Sequence, residues 1–135
     1  MKGRVLGLDF GGKRVGVAVS DGLRIAAHAL MVLPRHEASI RVAQLVEEYG
    51  VTEIVIGLPT TLGGEEGQSA LAARQFGREI EVATGLPVHW VDERFSSHTA
   101  ERVMIEAGAR RRARREKLDK VAATVILQSF LDRPR

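Results

Sequence analysis

The stretch Leu6-Gly7-Leu8-Asp9-Phe10-Gly11-Gly12-Lys13-Arg14-Val15-Gly16-Val17-Ala18-Val19 constrains this chain more than any other. It reads as two short apolar strands joined at Gly11-Gly12, because Val15, Val17 and Val19 alternate with small residues at the period of two that a strand imposes. Glycine supplies the positive-φ conformations of a tight turn, so the pair at 11–12 is expected to make the hairpin. Asp9 stands inside the first strand. A carboxylate among apolar strand residues is costly unless it is ionised and paired, or bound to a cation. Neither a helix cap nor a surface pair is obvious for it in an apolar strand.

Downstream, Ile25 to Leu33 reads as a third strand ended by Pro34. Residues 37–49 read as a helix with Val42, Leu45, Val46 and Tyr49 on one face and Gly50 as its C′ residue. Glu53 to Gly57 is an apolar fourth strand suited to burial on both faces. A Gly- and Thr-rich loop, Leu58 to Gly67, leads to a second helix over Gln68 to Thr84, with Ala72, Phe76, Ile80 and Ala83 aligned. Pro87 to Val91 makes a fifth strand. Ser96 or Ser97 caps a third helix that stops near Gly108, and a last helix spans Lys117 to Asp132. The order β-β-β-α-β-α-β-α-α implies a mixed sheet covered by helices, within a single domain of residues 1–135.

In such a sheet strands 1, 4 and 5 run parallel, and ligands bind at the carboxyl ends of parallel strands. Those ends are Asp9-Phe10-Gly11, Gly57-Leu58-Pro59 and Asp92-Glu93-Arg94. Asp119 joins them from the last helix. It is placed in that helix's first turn, ahead of the small residues Ala122 and Ala123, which let the helix approach the sheet. Carboxylates converging from distant segments need a counter-charge, and oxygen ligands suit Mg²⁺ or Mn²⁺. Two such ions ~3.5–4 Å apart activate water and stabilise the leaving oxygen in phosphodiester cleavage. On this reading Asp9 bridges the ions while Glu93 and Asp119 each hold one. The structural alternatives are a dipole-stabilised acid at Asp119, an ion pair of Glu93 with Arg94 or Arg14, and a turn cap at Asp92.

Charge distribution points the same way. The chain carries a net +3, but Arg110 to Lys117 alone hold a net +5, leaving −2 elsewhere. Such a patch is the electrostatic footprint of a polyanion partner, its alternative being a solvated loop. Lys13, Arg14 and Arg94 sit where they meet phosphates near a scissile bond, and Arg110, Arg111, Arg112, Arg114 and Arg115 track the backbone farther out. Trp90 and Phe76 read as core, and the four histidines show no metal-ligand spacing. With no cysteine, disulfides, thiolate zinc sites and cysteine nucleophiles are excluded. No apolar run reaches membrane-spanning length, and Met1-Lys2-Gly3-Arg4 leads straight into a strand, so a soluble cytoplasmic chain with no membrane contact is expected.

The same residues carry a family resemblance. Leu8 to Ala18 resembles the first motif of the YqgF family; Ile56-Gly57-Leu58-Pro59 with Gly64, and Asp92 to Ser97, resemble its second and third. Lys117 to Ala123 with Ile126-Leu127-Gln128 resembles its last, so the match spans nearly the whole chain in order. Leu62 and Phe95 depart from the family's usual methionine and leucine, and the basic run is longer and more arginine-rich.

The resemblance implies a ribonuclease-H-like α/β fold, related to the bacterial Holliday-junction resolvases. It also implies a metal-dependent nuclease that matures the 5′ end of pre-16S ribosomal RNA during ribosome biogenesis. Asp9, Glu93 and Asp119 would be its catalytic, metal-binding carboxylates. The rivals are a Holliday-junction resolvase cutting branched DNA as a homodimer, a non-catalytic rRNA-binding factor, and an actin-like ATP-binding protein. The last needs two such domains where this chain supplies one. Single-stranded DNA is a further candidate substrate, and the sequence is silent between monomer and homodimer.

Overall fold

Strand β1 (Arg4–Phe10) has a partner on each edge and so runs through the middle of a sheet. The computed structural model describes residues 3–11, 13–58, 67–92 and 111–133, with residues 111–120 described by their backbone alone. The other strands are β2 (Arg14–Ser20), β3 (Ala27–Pro34), β4 (Val51–Leu58) and β5 (Val88–Asp92). They pair in the order β3-β2-β1-β4-β5. The meander β1-β2-β3 is antiparallel, whereas β1-β4 and β4-β5 are parallel, as expected from the element order.

Helices α1 (Ala38–Tyr49) and α2 (Gln68–Thr84) cover one face, and α3 (Arg111–Leu131) covers the other. Alternation along the strands divides the core accordingly. Leu6 and Leu8, with Val15, Val17 and Val19, pack on Val42, Leu45, Phe76 and Ile80. Val5, Ala18, Val55 and Val91 pack on Ala123, Ile126 and Leu127 of α3. Each large aliphatic side chain buried in this way contributes ~1.5–3 kcal/mol. Helix α1 ends as the sequence predicts, on Gly50 with a φ of 65°, and α2 ends in the same way on Gly85 with a φ of 70°.

Four expectations are corrected. Gly11 does not take a positive φ. A Cβ there would lie 2.7 Å from the Arg14 carbonyl oxygen, which accepts the Gly11 N–H at 2.8 Å, so close approach is what demands glycine. Gly12 lies outside the described residues.

The buried stripe of α2 is Ala70, Ala73, Phe76, Gly77 and Ile80, while Ala83 is exposed. Gly77 belongs to it because a Cβ there would lie 2.6 Å from the Trp90 ring. The arginine run from Arg111 onward is the opening of α3 and not a loop. Arg, Ala, Glu and Lys are strong helix formers, and neither Gly nor Pro interrupts 111–131. Asp119 is therefore the ninth residue of α3 rather than a first-turn acid, and the dipole reading of it falls. The third helix expected over 96–108 lies outside the described residues.

Candidate active site

Asp9 is the buried acid of the sheet, 9% exposed and one residue from the carboxyl end of β1. Val5, Gly7 and Asp9 alternate with Leu6, Leu8 and Phe10, so Asp9 stands on the α3 face. Its ladder neighbour on β2 is Gly16. On β4, where Leu8 pairs with Ile56, the next position is Gly57. Neither neighbour carries a side chain. The sequence alone singles out Gly57 as a strand end, but not Gly16 as its counterpart.

Helix α3 reaches this face through backbone contact. A Cβ on Gly7 would lie 2.7 Å from the Leu127 Cβ and 3.2 Å from the Ala123 carbonyl oxygen. Farther along, Gln128 anchors the helix to the other end of the sheet. Its Oε1 accepts the Ala27 N–H at 2.9 Å, and its Nε2 donates to the Ile25 carbonyl at 3.0 Å. Since β3 begins at Ala27 opposite Ser20, that end is the one away from Asp9. Going toward its N-terminus, α3 therefore climbs toward the Asp9 edge. Asp119 precedes Ala123 by one turn on the same helical line. Arg115 and Arg112 continue that line at four- and three-residue spacing.

The third expected acid, Glu93, follows Asp92, the exposed last residue of β5, and lies outside the described residues with Arg94 and Arg110. Side chains of Asp119, Arg111, Arg112, Arg114 and Arg115 lie outside them as well. Among the described residues no three His, Cys, Asp or Glu side chains gather as a metal site, and no helix is long and apolar enough to cross a membrane. Lys13 is exposed and Arg14 half-buried, both beside the end of β1.

Two arginines at this edge carry no sequence motif. The Arg35 guanidinium lies 4.8 Å from the Phe10 ring centroid, and that of Arg74 lies 5.2 Å from Trp90. The one signal for Arg35 is its position just past Pro34, because an antiparallel meander returns the end of the third strand to the end of the first. Trp90 packs partly buried against the core and Phe76 is buried, as expected.

At the far end of the sheet, Arg24 adopts a φ of 59°. It donates to Glu53 Oε2 at 2.6 Å, the Gly3 carbonyl at 2.7 Å and Thr52 Oγ1 at 2.8 Å. His89 Nε2 is buried 3.7 Å from Glu53 Oε1, beyond hydrogen-bond reach. Asp21 closes the neighbouring turn, its Oδ1 accepting the Ile25 and Ala26 amides at 2.8 Å each. The Ala26 amide, ahead of that of Ile25, holds the Asp21 carboxyl below its ordinary value.

Comparison with known proteins agrees with this architecture. Residues 3–133 match the family model described as "RuvX: Holliday junction resolvase". The chain is 46% identical over 133 residues to a protein of Moorella thermoacetica named "Putative pre-16S rRNA nuclease", covering 96% of this chain and 95% of that one. A Roseiflexus relative of the same name is 42% identical over 136 residues, covering 98% and 96%. In fold, the chain is similar to Thermus thermophilus RuvC in complex with Holliday junction substrate, with a TM-score of 0.58, 15% identity and 96% coverage of each chain. A match over nearly the whole chain, on a five-stranded mixed sheet of this order, means that the protein belongs to the YqgF/RuvX family of ribonuclease-H-like nucleases.

Proposed function

We propose that this protein is a divalent-metal-dependent nuclease that hydrolyses phosphodiester bonds in the 5′-end maturation of pre-16S ribosomal RNA. The observation that carries the reading is Asp9: a buried carboxylate at the end of the central strand, flanked by Gly16 and facing the helix that bears Asp119. The name shared by the Moorella and Roseiflexus relatives supports the RNA substrate.

The donor set fits a hard cation. Asp9, Glu93 and Asp119 offer carboxylate oxygens, and a buried acid at the end of an apolar strand is stabilised by positive charge. Asp9, Glu93 and Asp119 would hold two Mg²⁺ or Mn²⁺ ions, which supply an activated water and stabilisation of the leaving oxygen. The protein's own residues do the rest. β1 fixes Asp9 at the strand end, and Gly16 and Gly57 keep the space beside it open for a phosphate. Lys13, Arg14 and Arg94 hold phosphates next to the scissile bond, and Arg110, Arg111, Arg112, Arg114 and Arg115 track the strand outward. These contacts position the substrate without reading its sequence.

A second reading, cleavage of four-way DNA junctions, is favoured by the description of the matching family model. One assay separates the two: cleavage of precursor 16S RNA, unstructured RNA and a four-way junction, each with Mn²⁺, Mg²⁺ or EDTA. Metal-dependent cutting of the precursor in preference to the junction supports the RNA reading. Preference for the junction replaces it, and binding of RNA without any cleavage leaves a non-catalytic rRNA-binding factor.

A further inference from the structure

Beside Asp9, two separate loops bring three cations to one corner of the sheet. Lys13 lies in the β1–β2 turn, Arg14 opens β2, and Arg35 follows the last residue of β3. The loops are tied together: the Arg35 N–H donates to the Lys13 carbonyl at 3.0 Å, and Arg14 pairs with Pro34 across the ladder. Arg35 is exposed, yet its guanidinium is seated on Phe10, whose ring lies 4.8 Å from the buried ring of Phe76. Stacking on an anchored aromatic limits the rotamers of an arginine before any ligand arrives. The acid nearest in sequence, Glu37, has its carboxylate 3.7 Å from His36 Nε2.

A groove of about 430 Å³ follows the same corner, lined by Lys13, Arg14 and the Leu30–Pro34 stretch of β3. The ladder leads from the site toward it. Asp9 faces Gly16, and Gly16 faces Val32. Residues opposite one another across a ladder share a face, so only a glycine separates Asp9 from Val32 in that row.

We propose that this corner is a backbone subsite for RNA on one side of the scissile phosphate, with Arg35 as its outer phosphate contact. The inference rests on the nuclease reading above and adds to it a residue and a direction. A strand held at Asp9 leaves across Gly16 into the groove and then rounds the strand ends at Lys13 and Pro34 to the α1/α2 face, where Phe10 and the Arg35 guanidinium on it lie. Lys13 and Arg14 take the nearer phosphates, the aliphatic wall of β3 takes sugar faces, and Arg35 takes a phosphate beyond. Phosphate contacts carry no base information, so the subsite is indifferent to sequence.

The test uses the full chain, an end-labelled single-stranded RNA of about twelve nucleotides, and a DNA of the same sequence. Equilibrium binding is measured over a salt series, and Mn²⁺-dependent cleavage at varied RNA concentration, for wild type, Arg35→Ala and Arg35→Lys. Arg35→Ala is expected to weaken RNA binding roughly fivefold and to reduce the salt slope by about 0.7, the value of one single-strand phosphate contact. It raises KM by the same factor and leaves kcat unchanged. Arg35→Lys restores the slope, because the point charge remains. An Arg35→Ala protein with wild-type RNA affinity and slope overturns the subsite. So does a loss in kcat at constant KM, a loss seen with DNA alone, or an equal loss in Arg35→Lys. Wild-type protein that neither binds nor cleaves RNA contradicts the nuclease reading instead.

Discussion

Gly7 of β1 and Leu127 of α3 meet so closely that no side chain fits between them: a Cβ added at Gly7 would lie 2.7 Å from the Leu127 Cβ. That contact sets the height of α3 above the central strand, two residues before Asp9 and two turns after Asp119. The helix that bears Asp119 is thus held to the strand that bears Asp9 through a contact between neutral residues.

Gly7→Ala should therefore act on both stability and catalysis. Overpacking of this kind costs ~1–3 kcal/mol, because the helix must lift or the strand must bend. Thermal unfolding is expected to fall by several degrees, and kcat of the folded fraction with it. An unchanged melting temperature together with full activity would mean that the contact does not position α3.

The Arg24–Glu53 pair should separate stability from activity. The Arg24 side chain is only 9% exposed and serves three acceptors, so Arg24→Ala leaves a half-buried Glu53 carboxylate without its guanidinium. Partial exposure of Glu53 screens the pair, which puts the expected loss at ~1–2 kcal/mol in denaturant unfolding. Because this cluster lies at the end of the sheet away from Asp9, cleavage per folded molecule should stay at the wild-type level.

Asp21 gives a pH dependence of defined sign. Its carboxyl is held below the ordinary value in the folded chain, so its ionised form stabilises the fold at pH above the unfolded-state value of about 4. That contribution declines as pH falls through the unfolded and then the folded value. Unfolding of wild type and Asp21→Ala, followed from pH 6 down to pH 3, should show the two stabilities converging in acid. Parallel curves would show that the carboxylate adds nothing through its charge.

Neutralising Arg111, Arg112 and Arg115 together should weaken RNA binding and flatten its salt dependence by up to about 2, at roughly 0.7 for each phosphate no longer neutralised. Mn²⁺ affinity is expected to stay constant. An unchanged salt slope would make this end of α3 a solvated helix with no partner.

Much of this architecture is legible in the sequence. The valine alternation at 15, 17 and 19 fixes the second strand, and Gly50 and Gly85 mark helix ends through their positive φ. The convergence of strands 1, 4 and 5 follows from element order alone. Register is not legible. Only the pairing shows that Gly16 stands beside Asp9, or that Gly7 is bare because Leu127 passes over it. Reading the arginines of 110–117 for charge alone overlooks their helix propensity, which misplaces the start of α3 and puts Asp119 in its first turn. On α2, alanines carry so little hydrophobic signal that a stripe through Ala72 and Ala83 looks as good as the real one through Ala73 and Gly77. Nothing in the sequence marks Arg35, because a lone arginine after a proline has no pattern. Its meaning comes from Phe10 beneath it.

The central claim is that Asp9 is the fixed member of a carboxylate site for divalent metal. Anomalous diffraction from a crystal of the full chain soaked in Mn²⁺ tests it most directly, with Asp9→Asn as the paired crystal. A manganese peak is expected about 2.1–2.2 Å from an Asp9 carboxylate oxygen, shared with Asp119 and weakened or lost in the variant. Manganese bound away from Asp9, or an undiminished peak in Asp9→Asn, would contradict it.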